Sequence, residues 1–221
     1  MTNPDAVKQF AQKLLGIYTG GVLTQMIDIG YRTGIFEASC QGAATSEELS
    51  ARAGLHERYV REWLGAMTTS GIYNYDAETK QYSLLAEHAA LLTGGTARNL
   101  SPTSRLINHL GEQIPRLADR FRDGEGIPYA AYQPGFTHSL DDLWRRIYDE
   151  QLVDGFLGKY TDLTAALKRG IRVLDIGCGT GHALNLLAEA YPNSTFVGYD
   201  LSETGIKDAQ AEAREMGLSN V

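Results

Sequence analysis

The sequence has little cysteine: Cys40 and Cys178 are the only two in 221 residues. Two distant cysteines make neither a disulfide framework nor a zinc knuckle, and a reducing compartment is the simplest setting for them. The sequence also lacks any run near the roughly 18 apolar residues of a membrane span. Its start, Met1-Thr-Asn-Pro-Asp5, has no basic stretch followed by an apolar one, so no signal peptide is expected and a cytoplasmic setting is. An excess of positive charge is missing too: 20 Lys and Arg stand against 27 Asp and Glu, a net charge of -7. Such a chain gathers phosphates poorly, which argues against nucleic acid as a partner. The five histidines (56, 88, 109, 138 and 182) show no metal-ligand spacing, and no metal is expected. What is present is an ordinary globular composition, 43% hydrophobic and 21% charged, able to bury a core.

The periodicity divides the chain into three stretches. Over 1–95, Asn3-Pro4-Asp5 reads as a helix start. Apolar residues then recur at helical spacing, with Phe10, Leu14, Ile17 and Tyr18 in one stripe and Leu23, Met26, Ile27 and Ile29 in a second. Gly20-Gly21 is expected to separate two helices or kink one. Thr45-Ser-Glu-Glu48 is a capping box opening a short helix that Gly54 closes. A second helix, His56 to Ser70, is expected to bury Tyr59, Val60, Trp63, Leu64 and Met67. Two β-prone runs, Ile72–Tyr75 and Tyr82–Leu85, flank a polar turn. Helix, turn, helix and hairpin in that order make a winged-helix arrangement. Residues 96–168 read as a mostly helical linker or lid layer, broken at Gly124–Pro128 and Gln133–Gly135, with an aromatic cluster that must pack against something. Residues 169–221 read as strand, helix, strand, helix, with Ile171–Ile176 a buried parallel strand: the opening of an α/β sheet.

Chemistry concentrates in Val173-Leu-Asp-Ile-Gly-Cys-Gly-Thr-Gly181, where glycines 177, 179 and 181 lie between strand and helix and let backbone approach a ligand closely. The dinucleotide fingerprint would want glycine where His182 stands, and the Gly-Lys-Ser/Thr of a phosphate loop is absent, so a pyrophosphate ligand is disfavoured. Asp200 ends the second strand, where a carboxylate can accept from both ribose hydroxyls of a nucleoside, with Leu201 beside the base. Asp175 faces the same edge. An acidic, glycine-lined site suits a ligand bearing an amine and a sulfonium.

With Phe196-Val-Gly-Tyr-Asp-Leu-Ser202, this stretch resembles the first two motifs of class I methyltransferases that use S-adenosylmethionine (SAM). The resemblance implies a Rossmann-like α/β domain following a mainly α winged-helix domain, with SAM as cofactor and S-adenosylhomocysteine (SAH) as product. It implies that Gly177, Gly179 and Gly181 pack on the methionine moiety, that Asp175 orients the loop and that Asp200 holds the ribose. Cys178, Thr180 and Leu201 join that cofactor-binding set. Thr45–Leu55 and Arg58–Leu64 resemble the winged-helix domain that precedes many small-molecule methyltransferases, where it mediates dimerisation rather than DNA binding. A homodimer through the N-terminal helices and a small-molecule acceptor are thus expected. Gly126–Tyr132, with Tyr129 and Tyr132, is expected near the acceptor.

A class I sheet has more strands than the two visible here, so the chain is expected to be an incomplete catalytic domain, weakly active or inactive by itself. The catalytic residues are not identifiable; His109 and His138 are the candidates for accepting a proton. Competing readings are a winged-helix interaction or dimerisation fragment, and a winged-helix transcription regulator with a SAM-binding remnant. Residues 1–95 carry 7 basic and 10 acidic side chains, which counts against a groove-reading domain.

Overall fold

The computed structural model describes residues 2–221. Contacts divide the chain into two units: the first runs through Gly94 and takes in Arg98–Asn108, and the second comprises Gly95–Ala97 and His109–Val221.

The first unit is helical with a small wing. Helix α1, Pro4–Thr33, starts where the Asn3 side chain accepts from the Asp5 and Ala6 amides, and ends where Gly34 turns left-handed. It runs through Gly20 and Gly21 without the expected break. Glycine in a helix interior costs roughly 1 kcal/mol relative to alanine and does not forbid the ladder, and flanking good helix formers carry it. A short turn α2, Ile35–Ser39, follows, then α3, Ser46–Ala53, opened by the Thr45–Glu48 capping box and closed by left-handed Gly54. Helix α4, Glu57–Thr69, buries Val60, Trp63, Leu64 and Met67. Tyr59 does not join them and is 76% exposed: one step before Val60, it points off the buried stripe, where His56 meets it edge-on. Strands β1, Tyr73–Asp76, and β2, Gln81–Leu84, pair antiparallel, and Ala44 extends the ladder by exchanging both backbone bonds with Tyr82. Helix α5 is Ala86–Leu92.

The core of this unit is an aromatic knot. Trp63 meets Phe36 and Tyr73 edge-on, with centroids 5.3 and 5.5 Å apart, geometries that add to area burial. The indole N–H donates to the Met26 carbonyl at 2.8 Å, and the Tyr73 hydroxyl pairs with Ser39 Oγ at 2.6 Å, so both polar tips are satisfied. Only the second half of α1 takes part, through Leu23, Met26 and Ile27.

In the second unit, α6 (Ser101–Gly111, which begins in the first unit) leads to α7 (Ile114–Asp123), a single 3₁₀ turn at Tyr129–Tyr132, α8 (Gly135–Gln151) and α9 (Thr161–Arg169). Then come β3 (Arg172–Ile176), α10 (His182–Ala190), β4 (Thr195–Tyr199) and α11 (Glu203–Glu215). The two strands pair in parallel, Arg172 opposite Thr195 and Ile176 opposite Tyr199. Their covered face packs Val173 and Phe196 with Leu167, Leu184, Ala188 and Tyr191. The expectation of a strand buried on both faces needs correction: Leu174 and Ile176 are exposed. Side chains alternate along a strand, and α10 covers one face only.

Gly30 lies where α1 crosses this knot. A Cβ there would collide with Phe36 Cε2 and sit 2.7 Å from Trp63 Cζ2, both on rigid rings. Gly30→Ala is therefore expected to destabilise the first unit by roughly 1–3 kcal/mol through overpacking. Denaturant unfolding followed by Trp63 emission checks this, and an unchanged midpoint refutes it.

Candidate functional site

The site grows out of the C-terminal ends of the two parallel strands. Beyond β3, the amides of Gly177 and Cys178 both donate to the Tyr199 carbonyl, at 2.7 and 3.1 Å, so the loop leaves the sheet still bound to β4. Gly177, Gly179 and Gly181 all adopt left-handed φ, at 87, 58 and 70°, a region costly for residues with a Cβ. A Cβ on Gly177 or Gly179 would meet nothing within 4 Å, so these two border open space. A Cβ on Gly181 would lie 2.5 Å from Ala209 Cβ. That glycine serves the packing of α10 on α11.

Asp200 receives two backbone amides, Gly179 N at 2.8 Å on Oδ2 and Ser202 N at 2.7 Å on Oδ1. Ser202 then caps α11 by accepting from Gly205 N at 3.1 Å. Burial, and next the charge of Asp200, raise the Asp175 carboxyl above its usual range. Burial, followed by the charges of Asp175 and Asp200, likewise raises the Cys178 thiol. Such a thiol is a poor nucleophile at neutral pH.

A cavity of about 460 Å³ opens here. Its loop side consists of Asp175, Gly177, Cys178, Gly179, Thr180 and Asp200. Opposite stand Tyr129 and a stripe of α8, namely Thr137, Leu140, Asp141, Trp144 and Tyr148, with His182 and Ala183 at the head of α10. Trp144 and Tyr148 stack, centroids 5.8 Å apart. A second hollow of about 510 Å³ shares Tyr129, Gly177 and Asp200 and adds Ile176, Tyr199 and Leu201. Of the residues singled out from sequence, Asp175, Gly177, Cys178, Gly179, Thr180, Asp200 and Tyr129 therefore converge. Leu201 stands at the second hollow, 86% exposed. Gly181 faces α11, and Tyr132 lines neither hollow, its ring packing on Phe136.

The histidine candidates go elsewhere. His109 Nε2 is 2.9 Å from the Tyr132 carbonyl, and His138 Nε2 is 2.9 Å from Asp208 Oδ2. His182, which does line the cavity, has its ring nitrogens 2.9 Å from Glu212 Oε1 and 2.7 Å from Asp149 Oδ1. The sequence does not mark the α8 stripe as a site, although Trp144 and Tyr148 belong to the aromatic cluster of residues 96–168 that must pack against something. The available signal was spacing: 137, 140, 141, 144 and 148 fall on one helical face that mixes polar and aromatic residues. Gly198 and Gly205 were also missed. A Cβ on Gly198 would press 2.7 Å from Cys178 Sγ, and one on Gly205 would press 2.7 Å from the Gly179 carbonyl oxygen. The second lets α11 begin directly against the glycine loop.

Comparison with known proteins decides the lineage. Residues 21–94 match the family described as Rv2258c-like winged HTH domain, and residues 167–221 match the family described as methyltransferase domain. The chain joins a winged helix-turn-helix domain to a methyltransferase domain. The mitomycin 7-O-methyltransferase MmcR superposes with a TM-score of 0.69 over 98% of this chain and 65% of that one, at 17% identity. Human N-acetylserotonin methyltransferase in complex with SAM superposes with a TM-score of 0.57 over 91% of this chain and 62% of that one, at 18% identity. Among curated sequences, the tRNA (guanine-N(7)-)-methyltransferase of Sodalis glossinidius (strain morsitans) is 33% identical over 39% of this chain and 35% of its own length. The chain thus spans less than two thirds of these relatives. The structural likeness, at such identities, establishes the fold.

The close approach at Gly205 gives a test of the packing described above. Gly205→Ala should shift the glycine loop and lower the stability of the second unit by roughly 1–3 kcal/mol, because backbone cannot yield as a flexible side chain does. Thermal unfolding of the variant checks this, and wild-type stability would contradict the contact.

Proposed function

We propose that this protein binds SAM in the cavity at the β3 and β4 ends and serves methyl transfer to a small-molecule acceptor. The observation that carries the reading is the pairing of an open glycine cradle with two acidic side chains at the ends of adjacent parallel strands. Open space beside Gly177 and Gly179 leaves room for a ligand to lie against backbone, which fits the methionine portion. Asp200 is pre-oriented by the Gly179 and Ser202 amides. A carboxylate offers about four acceptor positions, so about two remain for ribose hydroxyls. Leu201, Ile176 and Tyr199 offer apolar surface for the base in the second hollow. Asp175 supplies negative charge toward an ammonium or sulfonium group. When bound, SAM supplies an electrophilic methyl group. The residues of this chain would contribute binding, alignment and exclusion of water, with Trp144, Tyr148 and Tyr129 forming the apolar wall.

We also propose that the chain pairs with a second copy through the first half of α1. Val7, Phe10, Leu15, Ile17, Tyr18 and Val22 are each at least 55% exposed. They share one face of the helix, with Lys8, Gln9, Gln12 and Lys13 on the other, and an unpartnered apolar face calls for cover. Single glutamates at Phe10 and Tyr18 should convert a dimer to a monomer in light scattering. A wild-type chain that is monomeric at high concentration would remove this part of the proposal.

Titration calorimetry tests the cofactor reading. Micromolar SAM and SAH binding is expected, and Asp200→Asn should weaken both roughly tenfold or more, as for a lost charged hydrogen bond. The same measurement has a pH signature. A carboxyl raised above its usual value loses its charge as pH falls through that raised pKa, and a cationic ligand favours the ionised form. SAM affinity should therefore fall on acidification from pH 7.5 to 5, with protons released on binding in the acidic range. No binding by the folded chain, or affinity insensitive to Asp200, would overturn the assignment.

A further inference from the structure

The glycine loop is held from its other side by a chain of charged groups on three helices. Thr180 Oγ1 donates to Asp141 Oδ1 of α8 at 2.6 Å. The second oxygen of Asp141 accepts from Arg145 Nε at 3.0 Å. Arg145 Nη1 in turn meets Glu212 Oε1 of α11. Glu212 also accepts from Asn185 Nδ2 at 2.8 Å and lies 2.9 Å from His182 Nδ1, both on α10. His182 Nε2 closes the chain at 2.7 Å from Asp149 Oδ1, back on α8.

Charge assistance makes such contacts stronger than neutral hydrogen bonds, and shielding from water makes them costly to leave half-made. Burial favours the neutral Glu212 carboxyl, but hydrogen bonds from Arg145, Asn185 and His182 outweigh it and hold the group below its usual range. Burial likewise opposes the Arg145 charge, which Asp141 and Glu212 restore with a net upward shift. Glu212 and Arg145 are therefore each held toward the charged form, and the train ends on a single hydroxyl in the glycine loop. Gly177, Gly179 and Gly181 have no side chain to offer for a second such contact.

We propose that Asp141 is a positioning residue for the cofactor loop, acting through Thr180. Two anchors then fix the loop, with Asp200 gripping the Gly179 amide from the β4 side and Asp141 gripping the Thr180 hydroxyl from the α8 side. Left-handed glycines supply the geometry but little rigidity, since glycine loses more conformational freedom on ordering than other residues. The Thr180 clamp offsets that loss before ligand arrives and so raises affinity by preorganisation. This rests on the cofactor reading above only in its consequence for SAM. The clamp itself is a property of the ligand-free chain.

The test separates the two. Amide hydrogen exchange is measured on ligand-free wild type, Thr180→Val, Thr180→Ser and Asp141→Ala, alongside SAM and SAH calorimetry. Thr180→Val keeps the shape and removes the donor, and Thr180→Ser restores it. The expected result is exchange at residues 177–181 accelerated roughly tenfold in the valine and Asp141→Ala variants. Serine should return it to near wild type, with exchange in the β3 and β4 ladder unchanged. SAM affinity should fall by a similar factor in the same two variants and recover in the serine one. Wild-type exchange in Thr180→Val, or failure of serine to rescue, overturns the clamp whether or not SAM binds. Accelerated exchange with serine rescue, in a chain whose wild type does not bind SAM, upholds the clamp and sinks the cofactor assignment. Equal SAM affinity across all variants that bind it would reject preorganisation as its role.

Discussion

Everything at the strand ends depends on one charged contact, the Gly179 amide on the Asp200 carboxylate at 2.8 Å. It joins the loop after β3 to the loop after β4, two segments that parallel pairing brings side by side but does not itself connect beyond Tyr199. With the other oxygen, Asp200 takes the Ser202 amide, so the same side chain sets the start of α11. Gly205, one turn later, can then rest against the Gly179 carbonyl. Loop, strand end and helix start form one unit because a single carboxylate touches all three. Such an arrangement trades conformational freedom in the chain for a fixed set of donors and acceptors at the edge of a cavity.

Much of this was legible in the sequence, for reasons tied to particular residues. Caps and stops are local: Asn3, the Thr45–Glu48 box, Gly34, Gly54 and Ser202 act within a turn of where they stand, so reading them needs no tertiary knowledge. The three loop glycines were legible because left-handed backbone leaves few other choices. The α8 stripe was not, because a helix face acquires meaning only from what it faces. Thr137 and Asp141 look like any polar residues on a soluble helix until the glycine loop is placed opposite. Tyr59 shows the same limit from the other side. Its type fits a core, and only the phase of α4 against α1 decides that Val60 goes in and Tyr59 stays out. Gly20 and Gly21 were read as punctuation, yet a long helix absorbed them.

The two acidic centres in the second unit differ in kind. Burial, and next the charge of Asp200, oppose the ionisation of Asp175. At Glu212 the same burial is outweighed by an arginine, a histidine and an amide. One is poised to welcome a cation and the other already has several donors. Acidity in this unit is thus divided between a place of need and a place of satisfaction.

The sequence holds two tryptophans, and they have fallen into different units and opposite circumstances. Trp63 is 6% exposed with its N–H bound to a carbonyl, while Trp144 is 42% exposed, stacked on Tyr148 at the cavity wall. The molecule therefore carries two built-in fluorophores with separate messages. The emission of Trp63 follows the integrity of the aromatic knot, shifting to the red when that core opens. Trp144 follows occupancy of the cavity, quenched or brightened by whatever settles against the indole. Since each can be silenced by a single Trp→Phe replacement, folding of one unit and filling of the other can be watched in the same cuvette without any label.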